Sequence, residues 1–185
     1  MDGLDGLASG IILNALFGIL IFSFISGNTS NLEFVIILIG LIIVFLISNF
    51  GIILKKSFLG DSGSTFLGFT VAFLLVYYTQ GSEKNFHPVL AVWCVAIPIF
   101  DLVTVFIRRI YNGINPFKPD KRHLHYLLIQ KGFSRNFSSF ILVLTSFVLL
   151  LVGLGSFMIG PAFTLFIYFL FFLIFFCYSI YLSRL

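Results

Sequence analysis

Six apolar stretches constrain the fold of this chain more than any other feature: five are near the length that crosses a lipid bilayer, and the third is shorter, at about 16 residues. They lie approximately at residues 8–26, 34–50, 64–79, 89–107, 137–158 and 162–182. A helix rises about 1.5 Å per residue, so about 20 residues cross roughly 30 Å of hydrocarbon. With a mean hydropathy of +1.12 and 59% hydrophobic residues, a water-facing fold would expose more apolar area than a soluble domain tolerates. The sequence therefore predicts an all-α, polytopic integral membrane helical bundle of about six transmembrane helices, formed by residues 1–185 as a single domain.

The distribution of charge gives this bundle an orientation. An even number of crossings puts both termini on one side, together with loops at about 51–63 and 108–136. All but Lys84 of the eleven Lys and Arg residues fall on that side. Because cytoplasmic loops carry an excess of these residues, both termini and both loops are predicted to be cytoplasmic. The cations follow a membrane surface, so the expected partner is a lipid bilayer and no nucleic acid is expected.

The loop at 108–136 is the main polar segment, with seven of the eleven Lys and Arg residues in 29 positions. Lys121 and Arg122 offer positive charge, and His123 and His125 offer hydrogen bonds, a combination suited to phosphate. An anchor for anionic lipid is the alternative, which explains the cations but not the paired imidazoles. A zinc site is disfavoured because no third ligand has a suitable spacing.

A second polar segment stands at the start of the chain, where Asp2 and Asp5 are three positions apart among glycines. In a helix the two carboxylates would share a face. They could then bind a divalent cation, or one could bind metal while the other holds a substrate group. The alternative is a turn that caps the first helix.

The third polar segment is Gly60-Asp61-Ser62-Gly63-Ser64, which opens the third apolar stretch. A helix N-terminus supplies free N–H groups and partial positive charge, both suited to phosphate. Asp61 would complete such a site by holding Mg²⁺ against that phosphate. Helix capping by Asp61 or Ser62 is the alternative.

Pro98 and Asp101 interrupt the fourth apolar stretch. Proline removes a backbone donor and clashes with the preceding turn, so a kink is predicted near Asp101. An ionisable group within a membrane needs a partner. Arg108, seven positions on, points almost the same way. A structural pairing for Asp101 and a role in the site both remain open.

Together these segments resemble one family of membrane enzymes. Residues 2–8 are similar to its Asp-Gly-x-Asp-Gly-x-Ala motif, and residues 58–68 to its Gly-Asp-x-Gly-Ser motif. Pro98-Ile-Phe-Asp101 with Arg108-Arg109 is similar to the span leading into its histidine loop, and residues 115–125 are similar to that loop in the WecA-type branch. The family is the polyprenyl-phosphate N-acetylhexosamine-1-phosphate transferases, glycosyltransferase family 4.

The resemblance implies a reaction and a location. An N-acetylhexosamine 1-phosphate passes from a UDP-amino sugar to undecaprenyl phosphate, releasing UMP and initiating a cell-envelope polysaccharide. The histidine loop favours UDP-GlcNAc as donor over the UDP-MurNAc-pentapeptide of the peptidoglycan branch. The enzyme would lie in the bacterial inner membrane, with its active face in the cytoplasm.

The resemblance also assigns roles to individual residues. The catalytic set is Asp2, Asp5, Asp61, His123 and His125. Mg²⁺, or Mn²⁺ in its place, would be held by Asp61 and Asp2. The substrate-binding set is Gly60, Ser62, Gly63, Ser64, Asp120, Lys121, Arg122 and Tyr126.

Two departures from the family pattern carry expectations of their own. The family's His-x-His-His ends here in Tyr126, a phenol that cannot become cationic near neutral pH. The family's Asp-Asp pair and several spans would precede Asp2, and this chain has neither. It is therefore interpreted as the C-terminal half of a longer transferase, inactive alone, which works with a separate N-terminal half or as a homodimer.

Two other classes of protein were weighed against the transferase. A small multi-span transporter component would place charges along a path at mid-membrane. A non-catalytic scaffold that binds anionic lipid would tolerate replacement of His123 and His125 by Gln, whereas the transferase would not.

Overall fold

The computed structural model describes residues 4–52, 56–81, 84–115 and 123–184, and every regular element within them is a helix. The helices are α1 (Leu7–Ser26), α2 (Glu33–Asn49), α3 (Gly60–Thr79), α4 (Pro88–Cys94), α5 (Ala96–Tyr111), α6 (Leu124–Gln130), α7 (Arg135–Phe157) and α8 (Pro161–Arg184). The predicted all-α membrane bundle is therefore confirmed.

The number of spans differs from the predicted six. Among the described residues, α1, α3, α7 and α8 are long and apolar enough to cross a membrane, and α4 with α5 makes a fifth span if this bent pair counts as one. Helix α2 has only 17 residues. At 1.5 Å per residue it is about 25 Å long, which is short of the roughly 30 Å hydrocarbon core.

The core of the bundle is built around α1, which packs against α2, α3, α4 and α7. More than half of its apolar window is buried (56%), against 17% for α8. Helix α8 instead leaves phenylalanines such as Phe166 and Phe169 exposed. In a membrane these side chains face lipid, so the burial pattern separates an inner helix from a peripheral one.

Close helix crossings depend on glycine. A Cβ atom built on Gly18 of α1 would lie 2.6 Å from Cys94 Sγ, and one on Gly153 of α7 would lie 2.4 Å from Trp93 Cγ. Small residues let helix backbones approach in membranes, where packing contributes strongly to association. These two positions therefore hold α1 and α7 close to α4.

The bend predicted from Pro98 is present, but not near Asp101. Helices α4 and α5 meet at an angle of 75°, with the break at Val95 (φ −124°, ψ 26°). A proline ring clashes with the carbonyl four residues earlier and cannot donate to it. For Pro98 that carbonyl belongs to Cys94, the last residue of α4, which explains why the break falls one turn before the proline.

The polar segments collect at one end of the bundle, here called the site end, where α1, α3, α6 and α7 begin and α2 finishes. At the opposite end, the loops after α1 and α3 contact each other. There Asn85 Nδ2 donates to the carbonyl oxygens of Asn28 (3.0 Å) and Ser30 (3.1 Å). The chain thus brings its predicted functional segments together on one face.

Candidate functional site

The turn that carries Asp5 is built at the start of α1 and held by Asn49. Gly6 has a φ of +73°, and a Cβ there would lie 2.4 Å from the Phe50 ring, so the turn requires glycine. The Gly6 N–H donates to Asn49 Oδ1 at 2.8 Å. The Asp5 carboxylate does not cap α1. It forms an ion pair with Lys56 Nζ at 2.5 Å, and the site role of Asp5 remains a prediction.

The segment before α3 is tied to the same asparagine. Asn49 Nδ2 donates to the Ser57 carbonyl oxygen at 2.8 Å, and the Asn49 side chain is buried, with 4% exposed. Among the described residues, the N-cap position of α3 makes no side-chain capping hydrogen bond. Asp61 lies in the first turn of α3 with an exposed side chain. The first-turn N–H groups and this carboxylate therefore face the site end.

A first cavity of about 440 Å³ opens between the start of α1, the segment before α3 and the start of α7. Its polar walls include Asp5, Asn49, Lys56 and Arg135. Phe58 also lines it with a ring that is 72% exposed, and Lys56 Nζ lies 5.4 Å from that ring's centroid. Two cations against one carboxylate, beside an exposed aromatic ring, suit an anion that carries a flat group.

Arg135 was not among the predicted site residues. It is the first residue of α7, whose N-cap Ser134 accepts a hydrogen bond from the Phe137 N–H through Oγ (3.2 Å). The sequence signal that could have identified Arg135 is its position in the basic loop, next to the start of an apolar stretch. Only the fold shows that this residue lines the same cavity as Asp5.

A second cavity, of about 330 Å³, runs between α1, α3 and α5. Apolar residues line most of it, and its polar lining residues are Ser64, Thr65, Asp101 and His123. Ala8 lines both cavities, and the first turn of α3 contributes Gly60 to the first and Ser64 to the second. The first turns of α1 and α3 therefore stand between a charged cavity and a largely apolar one.

Asp101 has a partner that its spacing did not suggest. It is buried, with 1% exposed, and its Oδ2 lies 2.8 Å from His123 Nδ1. Its Oδ1 accepts the Leu124 N–H at 2.8 Å. Both carboxylate oxygens thus bind the start of α6, and the His123 ring is held at the edge of the second cavity.

His125 lies beside His123 but in different surroundings. The two rings are almost parallel (9°) with centroids 5.9 Å apart, and the Tyr126 ring centroid lies 4.2 Å from that of His125. His125 is only 2% exposed, and its ring nitrogens have no hydrogen-bond partner among the described residues. Burial lowers the pKa of His125 to about 4. This imidazole is therefore neutral at pH 7.

Several predicted site residues lie outside the described part of the chain. They are Asp2, Asp120, Lys121 and Arg122. Within the described residues, no group of three or more His, Cys, Asp or Glu side chains is placed to hold a metal ion. The structure thus brings Asp5, the first turn of α3 and His123 to one end of the bundle, and the metal prediction that included Asp2 remains a prediction.

Parts of this chain are similar to known proteins. The family described as glycosyl transferase family 4 matches residues 1–79. An undecaprenyl-phosphate alpha-N-acetylglucosaminyl 1-phosphate transferase of Yersinia pestis is 34% identical over 157 residues, covering 83% of this chain and 42% of the relative. The protein of that name from Escherichia coli K12 is 35% identical over 155 residues, with the same shares. Its counterpart in Haemophilus influenzae is 37% identical over 120 residues, covering 63% of this chain and 34% of the relative.

The chain spans about two fifths of the length of the first two of these relatives. No solved structure matches it. The family match begins in the segment that carries Asp5 and continues through α3, and the matches to the relatives cover most of the chain. The chain is therefore similar to glycosyl transferase family 4 over residues 1–79 and, over most of its length, to part of these transferases.

Proposed function

We propose that this chain forms part of an enzyme that transfers N-acetylglucosamine 1-phosphate from UDP-GlcNAc to undecaprenyl phosphate, releasing UMP. The observation that carries the proposal is the meeting of two chemically different cavities at the first turns of α1 and α3. Such a transferase needs one site for a water-soluble nucleotide sugar and another for a lipid. The names of the relatives give the acceptor and the transferred group for those proteins.

The first cavity fits the nucleotide sugar. Lys56 and Arg135 supply positive charge for a diphosphate, and Phe58 offers a ring face on which a base can stack. Lys56 pairs with Asp5. A bound diphosphate would compete with Asp5 for this ammonium group.

The second cavity fits the lipid phosphate. Its walls are the apolar faces of α1, α3 and α5, and its polar edge carries Ser64, Thr65 and His123. A prenyl chain can lie along such walls while its phosphate stays at the site end. The two phosphate groups would then approach each other across the first turn of α3.

The chemistry that this arrangement supports is a displacement at phosphorus. An oxygen of the lipid phosphate attacks the phosphorus that bears the sugar, and the bond from that phosphorus to the oxygen shared with UMP breaks. The leaving UMP takes the electron pair. The free N–H groups at the start of α3 and the cations of the first cavity offset the charge that gathers on the phosphates.

Magnesium is part of the proposal, with Asp61 as its main protein ligand. The Asp61 carboxylate is exposed at the site end, and carboxylate oxygens suit Mg²⁺, which usually keeps water and takes substrate phosphates as further ligands. The residues that the structure describes fit this mode of binding, which needs no cage of three protein ligands. When bound, the ion would offset phosphate charge.

The transporter alternative expected ionisable groups along a path at mid-membrane. Asp101 instead binds the start of α6 at the site end. The proposed orientation places the site end in the bacterial cytoplasm, where UDP-sugars are made. It is supported by the excess of Lys and Arg on that side.

The test measures transfer of radiolabelled sugar phosphate from UDP-GlcNAc into extractable lipid, with undecaprenyl phosphate and Mg²⁺ in nanodiscs. One arm uses the chain alone, and the other co-expresses it with the part of the Escherichia coli relative that it does not match. The first arm also tests the expectation that the chain alone is inactive. Labelled lipid in at least one arm is the expected result.

Matched variants connect such activity to the site. Asp61→Asn should lower the rate by roughly 100-fold or more, since it removes the proposed metal ligand. Glu33→Gln makes the same chemical change at the exposed start of α2, at the opposite end, and should leave the rate unchanged. Absence of labelled lipid in both arms, or equal rates for the two variants, would refute the proposal.

A further inference from the structure

We infer that Asp101 is a positioning residue for the site: it fixes the tautomer and orientation of His123 so that Nε2 of the imidazole is presented to the second cavity. The sequence left a structural and a functional role for Asp101 open. The tautomer and orientation follow from the geometry alone. Their consequence for catalysis rests on the proposed function.

Both oxygens of the carboxylate are engaged at ordinary hydrogen-bond distances, 2.8 Å to His123 Nδ1 and 2.8 Å to the Leu124 N–H. Asp101 is 1% exposed, and a buried carboxylate is stable only when its oxygens are satisfied. The two bonds join α5 to residues 22 and 23 positions later. The carboxylate therefore has little freedom to turn away from the imidazole.

The chemistry of the carboxylate decides which nitrogen of His123 carries hydrogen. An ionised Asp only accepts hydrogen bonds, so the hydrogen of a neutral His123 must lie on Nδ1. Nε2 then has a free lone pair. In a metal site or a triad, the partner of one ring nitrogen sets the role of the other in this way.

A second contact fixes the plane of the ring. The His123 ring is almost parallel to that of His125, with centroids 5.9 Å apart. Among the residues that the structure describes, the hydrogen bond of His123 is at Nδ1, which leaves Nε2 for a ligand; the side chain is 31% exposed and lines the second cavity. An acceptor phosphate in that cavity can give its proton to Nε2. The imidazolium so formed donates a hydrogen bond back to the phosphate while Asp101 offsets its charge.

A purely structural role is the competing explanation, in which Asp101 only anchors α6. Asp101→Asn separates the two. The Asn Oδ1 can still accept the Leu124 N–H, and its Nδ2 can donate to His123 Nδ1, so both contacts are kept. The hydrogen of His123 must then move to Nε2. The inverted tautomer is expected for either role, but an anchoring role predicts an unchanged rate of reaction, whereas the positioning role predicts a slower reaction.

The first measurement does not depend on activity. Nitrogen-15 NMR of histidine-labelled full chain in detergent micelles reports the tautomer of each imidazole, and single His→Gln variants assign the three histidines. His123 should carry its hydrogen on Nδ1 in the parent and on Nε2 in Asp101→Asn. Asp61→Asn, the same chemical change in α3, should leave the His123 tautomer unaltered. A parent protein with hydrogen on Nε2 of His123 would overturn the inference, even if the variant could not be folded.

Hydrogen exchange and kinetics complete the test. The Leu124 amide should stay protected in Asp101→Asn and lose protection in Asp101→Ala. In the transfer assay Asp101→Asn should lower kcat by about 10²- to 10⁴-fold, as expected for a misoriented base. The KM for UDP-GlcNAc should change less than about twofold, because the donor lies in the other cavity. An inverted tautomer with unchanged kcat would show that Asp101 is only an anchor. An inactive parent would count against the proposed function but would not affect the NMR result.

Discussion

Two histidines only two positions apart, His123 and His125, have different surroundings. His123 is partly exposed and bonded to Asp101, whereas His125 is 2% exposed and lies between the His123 and Tyr126 rings. The sequence predicted that both imidazoles bind phosphate. In this arrangement the His123 ring borders the second cavity, and that of His125 contributes packing.

The burial of His125 predicts a specific acid sensitivity. Its pKa in the folded chain is about 4, below the ordinary value of about 6.5. The unfolded chain therefore binds this proton first as the pH falls. The stability from a neutral His125 is fully present above about pH 6.5 and is lost progressively down to about pH 4, by about 3 kcal/mol at most. Unfolding midpoints in detergent between pH 4 and 7.5 should fall less steeply for His125→Phe than for the parent.

That comparison isolates one residue, since every other titrating group is common to both proteins. If the two proteins lost stability along parallel curves, the buried imidazole would not be the cause of the acid sensitivity.

Among the helices, α7 and α4 are closely packed where they cross. Trp93 is completely buried and stacks edge-on against Tyr168 of α8, with ring centroids 5.3 Å apart. Its other side lies against Gly153 of α7. The indole thus joins three helices, and the glycine makes the space for it.

Gly153→Ala should destabilise the bundle because its Cβ would lie 2.4 Å from Trp93 Cγ. Overpacking of this kind typically costs about 1–3 kcal/mol. Gly155→Ala is the matched control, on the same helix with nothing within 4 Å of the added carbon. It should be neutral or slightly stabilising, by up to about 1 kcal/mol, through helix propensity. Thermal unfolding in detergent should rank the control at or above the parent, and both above Gly153→Ala; equal midpoints for the two variants would contradict the packing argument.

For the whole molecule, the two ends of the bundle have different chemistry. The site end carries both cavities described above, and at the opposite end the loops that follow α1 and α3 are joined by hydrogen bonds. The proposed enzyme would take its nucleotide sugar at the site end, where the charged cavity lies.

The proposed orientation can be tested by labelling in intact bacteria. Lys131→Cys places a thiol at the exposed end of α6, and Lys84→Cys places one at the opposite end, each in a Cys177→Ala background that retains the buried Cys94. A membrane-impermeant maleimide should label position 84 in intact cells, and position 131 only after the membrane is broken. The reverse pattern would place the site end outside the cytoplasm.

Local features of the sequence determined the membrane class, the helical architecture and the segments that form the site. Hydropathy over about 20 residues, and short motifs such as residues 58–68, can be recognised without knowing which distant residues are in contact. The bend also followed from a local cause, although its position depends on the carbonyl that faces Pro98 one turn earlier.

The tertiary structure decided which residues meet. Asn49 bonds a residue 43 positions away, and Asp101 bonds one 22 positions away. Neither distance corresponds to a helical period, so spacing alone could not reveal these contacts. The burial of His125 and the position of Arg135 in the same cavity as Asp5 have the same origin, because both depend on how helices that are distant in sequence pack against one another. The sequence by itself could therefore name the groups suited to phosphate chemistry, and only the packed bundle determines which groups face a cavity and which are enclosed.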